Sequence, residues 1–274
     1  MNRIIDSHIH FWDVNRLDYQ WMKPGTPLHR NFLPDDISEQ TKMHGVEGYV
    51  VIEATNTSPE IAWLLQLVGQ NPLIQGVVGG IDFTAPSVRE TISEYAHNPV
   101  FKGVRLNWLQ TRDNTAELAP SFQALAAHNL SCDVLNRFDL LTEVEIFAKS
   151  HPDVTFIINH MAGATFTPGG HTDWGHALRP LAALPNIAVK VSGFLTACDP
   201  KPLEPDTLWA YLETALEIFG SKRLMYASNF PINLLVSADY GDSVTLLQSV
   251  IGELSQDEQY HLWFGTAHHV YKLR

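Results

Sequence analysis

Short runs of β-branched and aromatic residues recur along this chain, separated by longer stretches with helical spacing. Eight runs read as strands: Arg3–His10, Gly48–Glu53, Ile74–Ile81, Phe101–Leu106, Leu130–Leu135, Val154–His160, Ile187–Ser192 and Arg223–Asn229. Pro59–Gly69, Ser87–His97, Leu140–Ser150 and Asp206–Phe219 read as helices between them. Several open on Pro, Ser or Asp and close near Gly or Asn, as helix capping favours. This alternation predicts an α/β fold, a parallel sheet covered by helices. Closed on itself, the sheet is a (β/α)₈ TIM barrel. A doubly wound open sheet gives the same alternation, and periodicity does not separate the two. The tail from Asp242 to Arg274 reads as further helices closing the outside of the barrel. No linker splits the chain, so residues 1–274 are read as one domain. The proline-rich patch Asp199–Pro205 fits a loop after the seventh strand. The connection from Phe11 to Leu33 is long, and structureless loops of that length are often functional. It carries Trp12, Tyr19 and Trp21 and could fold over a barrel mouth, or pack as a surface excursion.

Composition narrows the picture. The chain has 274 residues, 45% hydrophobic, which suffices for a large core. Its formal net charge is −12. An acidic surface repels phosphate backbones and anionic lipid, so neither nucleic acid nor membrane is expected as a partner. A small molecule is the expected partner, and self-association is left open. Cys132 and Cys198 are neither a disulfide framework nor a metal pair. No stretch reaches the roughly 18 apolar residues of a membrane span. No secretory leader pattern opens the chain, so a cytoplasmic protein is expected.

The candidate chemistry lies at strand ends. His8 and His10, separated by one residue on a strand, point to one face, and Asp6 shares their parity. Two such imidazoles can bind one metal ion or polarise a carbonyl. His160 ends the sixth strand, with Gly163 close behind, and Asn229 ends the eighth. In a barrel such residues converge on one site although far apart in sequence. Arg105, followed by Asn107 and Trp108, lies near the end of the fourth strand. Its guanidinium could hold substrate oxygens, or pair structurally with Glu53 or Asp133. Glu53 and Asp133 are candidate general bases. Trp108, Asn136 and Trp12 stand near these strand ends as further substrate-binding candidates. Lys190 lies within an apolar strand and needs a partner. The His268–His269 pair reads as surface or helix residues.

Several segments together resemble the amidohydrolase-2 branch of the metal-dependent hydrolases, within it the sugar-lactone and dicarboxylate-lactone hydrolases. They are Ile5–Asp13 (IDSHIHFWD), Gly76–Asp82 (GVVGGID), Lys102–Arg105 (KGVR), Asn159–Gly163 (NHMAG), Val189–Gly193 (VKVSG) and Ser228–Pro231 (SNFP). Their order runs through nearly the whole chain. The resemblance implies a (β/α)₈ barrel that opens a lactone ring. It places His8, His10 and His160 around the substrate carbonyl, with one divalent metal, zinc first, or with none. Arg105 would bind the substrate's oxygens.

Two positions depart from the family pattern. The eighth-strand aspartate that activates water is Asn229 here, and the usual asparagine near the C-terminus is Thr266. An amide cannot take a proton from water at neutral pH. The base then falls to Glu53, Asp133 or a histidine, or polarisation of the carbonyl alone suffices. The fifth strand lacks a bridging histidine, with Asp133 and Asn136 in that region, so no binuclear centre is expected. Hydrolysis of a small sugar-acid lactone is the leading expectation. Decarboxylation by similar ligands and ligand binding without turnover are the alternatives.

Overall fold

A computed structural model of the chain describes residues 3–198 and 201–274. Its eight strands are β1 (Ile4–Ile9), β2 (Val46–Ile52), β3 (Ile74–Gly79), β4 (Phe101–Asn107), β5 (Ser131–Leu135), β6 (Phe156–Ile158), β7 (Ile187–Val191) and β8 (Leu224–Tyr226). All pair parallel in sequential order. An open doubly wound sheet would reverse direction from its middle; this one closes. Asn229 donates its backbone N–H to His8 O at 2.9 Å, and His10 donates its own to Phe230 O at 2.9 Å. Asp6 clamps the same seam. Its Oδ1 accepts from Ser228 N at 2.9 Å and His8 N at 3.2 Å, and its Oδ2 from the Tyr240 hydroxyl at 3.2 Å. Asp6, which shares strand parity with the histidines, is thus a closure clamp.

One helix of the outer layer follows each strand: α1 (Ser38–Met43), α2 (Ser58–Val68), α3 (Val88–Ala96), α4 (Ala119–Ala127), α5 (Leu141–Lys149), α6 (His171–Ala182), α7 (Pro205–Phe219) and α8 (Tyr240–Val250). The strands bury both faces, which is why they read as near-continuous apolar runs. Outward-facing residues such as Ile9, Tyr49, Val51, Val77 and Val104 pack against the helices in the larger core. Inward-facing Ile5, Val50, Ile52, Val78, Ile157, Ala188 and Met225 form a second core with Phe264, Ala267, Tyr271 and Leu273. The tail therefore does more than cover the outside. Beyond α8 it passes under the N-terminal ends of the strands and plugs the interior, which leaves the larger cavity at the C-terminal ends. Of the proline-rich patch, Asp199 and Pro200 lie outside the described residues, and the remainder leads into α7.

The Phe11–Leu33 connection is stapled at its base. Trp12 and Phe32 exchange backbone hydrogen bonds at 2.9 Å. The Trp12 indole donates to Arg30 O at 2.7 Å and meets Phe32 and Trp21 edge to face, at 5.2 and 5.4 Å between centroids. Its ring is fully buried. Trp12→Ala is expected to cost about 3–5 kcal/mol, the usual range for emptying a buried aromatic site. Urea unfolding monitored by circular dichroism measures it.

Candidate active site

A cavity of about 950 Å³ opens at the C-terminal ends of the strands. That volume suits a small organic substrate. His10, Glu53, Arg105, His160 and Asn229 line it from the strand ends. Leu17, Asp18, Gln20 and Trp21 line it from the long first connection, which folds over the mouth. Thr55, Asn56, Thr57, Asn107, Gln110 and Thr111 add polar groups to the wall, and Ala54, Pro59, Phe83, Leu135 and Ile232 add apolar ones. Arg105 Nη1 lies 3.4 Å from Glu53 Oε1. Arg105 Nε and Asn107 Oδ1 are buried without a protein partner among the described residues. An unpaired buried polar atom costs about 1–3 kcal/mol, a cost that a hydroxyl or carbonyl of the substrate would remove.

The backbone holds His160 and Asn229 in place. His160, Met161, Ala162 and Gly163 all take left-handed φ values, between 46° and 69°, and Asn229 takes 59°. Such conformations persist only where surroundings over-determine them, and they cluster at functional sites. Ser192 Oγ lies 2.8 Å from His160 Nδ1 and fixes its ring. Gly193, at φ 78°, has no side chain because a Cβ there would sit 3.0 Å from the His160 Cβ.

The remaining candidates are not in the cavity wall. His8 is fully buried beneath it, its ring 4.5 Å from that of His160. Asp133 is fully buried, bonded to Lys190 Nζ at 2.5 Å and to the Tyr271 hydroxyl at 2.9 and 3.0 Å. Sealed below the site, it is not placed as a general base, which corrects that expectation. Trp108 turns outward. Its indole donates to Glu143 Oε2 at 3.1 Å and its ring packs on Phe147 at 5.2 Å, in a separate surface groove. Asn136 is held by its own bond to Arg137 O at 3.0 Å and does not line the cavity. Trp12 stands behind Trp21. These three are therefore not cavity contacts. Thr266 bonds Ser221 O at 3.1 Å under the barrel, and His268 and His269 line another depression at that end.

One contributor carries a sequence signal of a different kind. The Thr57-x-x-Glu60 spacing has the form of a capping box. Glu60 is fully buried, and its carboxyl instead accepts backbone N–H bonds from Ala54 and Thr55 at 3.0–3.2 Å, shaping the loop that lines the cavity. Burial first, then the Glu53 charge, pushes its pKa up to about 8 from an ordinary 4.5. A raised folded-state value means the folded protein keeps a proton that the unfolded chain releases. Stability is then expected to fall between about pH 4.5 and 8, by up to about 1.4 kcal/mol per pH unit for this group. Glu60→Gln should flatten that part of the profile, which urea midpoints across pH measure.

A protein-family model described as amidohydrolase matches residues 5–273. The chain belongs to the amidohydrolase family. It is 31% identical to an L-fucono-1,5-lactonase of Burkholderia multivorans, over 98% of this chain and 96% of that protein. It is 28% identical to an L-fucono-1,5-lactonase of Burkholderia ambifaria, over 98% of this chain and 95% of that protein. A crystal structure of a Burkholderia multivorans amidohydrolase with bound zinc superimposes with a TM-score of 0.90 at 30% identity, covering 99% of both chains.

Whether this amidohydrolase offers a metal the same welcome is decided by its hydrogen bonds. Burial lowers the Lys190 pKa to about 8, against the opposing pull of Asp133, so at neutral pH it is an ammonium that can only donate. It lies 3.2 Å from His8 Nδ1, which must accept, so the His8 proton sits on Nε2. That N–H meets His10 Nε2 at 3.1 Å, and His10 donates Nδ1–H to Ile52 O at 3.0 Å. His8 has no lone pair left for a metal, and His10 has given its own to His8. Metal binding needs free ring lone pairs, and here only His160 keeps a nitrogen unengaged. Among the described residues no group of three His, Cys, Asp or Glu could hold an ion. The trio expected as ligands, His8, His10 and His160, does not fit a metal in this arrangement.

The same chain keeps the site uncharged on its histidine side. Burial, then the Arg105 charge, lowers the His10 pKa to about 3 and holds His160 well below 6.5. Burial and Lys190 do the same for His8. All three rings are neutral at physiological pH.

Proposed function

We propose that this amidohydrolase hydrolyses a neutral, hydroxylated sugar 1,5-lactone, with Glu53 as general base and Arg105 and His160 around the carbonyl oxygen. The observation that carries the reading is the Glu53–Arg105 pair on the cavity wall. It sets a proton acceptor beside a fixed donor of positive charge, while the eighth-strand position holds a neutral amide. Glu53 takes a proton from water as the water oxygen bonds to the carbonyl carbon. Arg105 stabilises the negative charge that develops on the carbonyl oxygen. The acyl–oxygen bond of the ring then breaks, and the departing ring oxygen takes the proton back from Glu53. Asn229 contributes hydrogen bonding to the substrate and no charge.

The cavity's charge argues for the sugar over the dicarboxylate lactones. Among the described residues Arg105 is its one Lys or Arg, already paired with Glu53, and Asp18 adds a second acidic group. Two substrate carboxylates would meet no free cation. The same count disfavours a decarboxylase, whose substrate must bring a carboxylate. Two curated relatives named as sugar 1,5-lactonases at 28% and 31% identity support the reading. Asn229 favours one other reading, a binder without turnover.

Acid release from a panel of aldono-1,5-lactones, followed with a pH indicator, tests the proposal. Turnover that survives exhaustive chelation is expected. No turnover of any lactone, with or without added zinc, would overturn it, and binding without acid release would establish the second reading.

A further inference from the structure

Trp21 is the most exposed tryptophan of the chain, at 44%, while Trp12, Trp63, Trp108, Trp174 and Trp263 are buried. A large apolar ring left open to water at a cavity mouth calls for an occupant. Two contacts fix it there. Its indole donates to Ala54 O at 2.7 Å, across the mouth from its own loop, and its ring stands at 86° to that of Trp12. The rest of the wall is mixed: Leu17, Pro59, Phe83, Leu135 and Ile232 are apolar, and Asp18, Glu53 and Arg105 are ionisable. Thr55, Asn56, Thr57, Asn107, Gln110 and Thr111 present neutral amides and hydroxyls. The site thus combines a held aromatic surface at its mouth with uncharged hydrogen-bonding groups along one part of its wall.

That combination matches a particular ligand chemistry. A six-membered sugar ring carries hydroxyls at its edge and, in some epimers, an uninterrupted patch of C–H bonds on one face. The π-face of an aromatic ring is electron-rich and attracts weakly positive hydrogens. A hydroxyl projecting from the same sugar face would be desolvated against the indole without a partner, at a cost. The wall would meanwhile hydrogen-bond the edge hydroxyls.

We propose that Trp21 is the stacking platform of the site and determines which epimeric sugar lactones bind. This rests on the sugar-lactone reading above, and the test separates the two. The probes are epimeric polyhydroxylated 1,5-lactams, neutral rings that bind without being hydrolysed, together with the lactone panel. The wild-type protein should bind lactams with a continuous C–H face best. Trp21→Ala should weaken the best lactam about 10- to 30-fold, the scale of losing one ring-sized apolar contact. It should level the preference among epimers and raise KM for the corresponding lactone with little change in kcat. Trp21→Phe keeps a ring but loses the bond to Ala54 O, and should retain the preference.

The proposal is overturned if Trp21→Ala leaves the epimer preference intact, or if wild type binds no lactam. It is also overturned if Trp21→Phe behaves as Trp21→Ala, because the indole would then act as a latch for the loop. Lactam binding that responds to Trp21 without turnover of any lactone sinks the hydrolase reading and leaves the platform standing.

Discussion

Glu53→Gln is expected to lower kcat for a sugar 1,5-lactone by about 10²- to 10⁴-fold, the usual contribution of a general base. The change is nearly isosteric at a partly buried position on the cavity wall, so stability should move little. KM should also hold, because the amide can still accept a hydrogen bond from Arg105 where the carboxylate did, 3.4 Å away. Steady-state kinetics with a circular dichroism control read the split. The competing bases are disqualified by position or engagement. Asp133 is buried between Lys190 and Tyr271, and His10 Nε2 is engaged by His8. His160 remains a neutral ring on the wall, so a Glu53→Gln variant with full kcat would transfer the base role to it. Asn229→Asp supplies the discriminating companion. If Glu53 is the base, a carboxylate at 229 adds a further negative charge to the cavity wall and should not raise kcat. A large gain would identify a site whose wild-type form is disabled.

The fold and much of the site were legible because both rest on periodicity. A strand buried on both faces must be apolar, so the eight runs stood out, and barrel closure then brings their C-terminal ends together. Glu53, Arg105, His160 and Asn229 are found by that rule alone. Strand limits slipped where the backbone does functional work. The sixth run, read as Val154–His160, ends at Ile158 because the chain enters the left-handed turn that presents His160. The eighth, read to Asn229, ends at Tyr226 because Ser228 and Asn229 turn to meet β1.

Depth was the property that periodicity could not supply. Arg105 and Asp133 are partners in the β4–β5 register, yet one reaches the cavity and the other does not. A guanidinium on a long stem extends to the mouth from a level where a short carboxylate stays beneath the floor. His8 and His10 share a face, but two residues of rise put only the second in the wall. Trp108 begins a short helix right after β4, so its direction follows the turn and not the strand alternation. Trp21 and Glu60 act from a long loop and from the first turn of a helix, where no repeat marks an inward position. Lys190 announced itself only as a charge needing a partner. Its two neighbours, Asp133 and His8, are what turn a metal-ligand spacing into a hydrogen-bonded chain.

Arg105→Ala is expected to lower kcat/KM by about 10²- to 10³-fold, as loss of one oxyanion donor does. Two further consequences separate this from loss of packing. Arg105 is the largest influence after burial in lowering the pKa values of His10 and His160. Without it both rings regain a proton more readily, so the residual activity should fail at higher pH on the acid side than wild type does. The sign is fixed: a cation opposes protonation, and removing it moves the acidic limb upward. The second consequence concerns Glu53, the proposed base, which loses its counter-ion. Effects at the two positions should therefore be far from additive. The Glu53→Gln, Arg105→Ala double variant should be little worse than the poorer single variant, since each change disables the same step. Additive losses, with the acidic limb unmoved, would instead make Arg105 a structural partner of Glu53 and take it out of the carbonyl's surroundings.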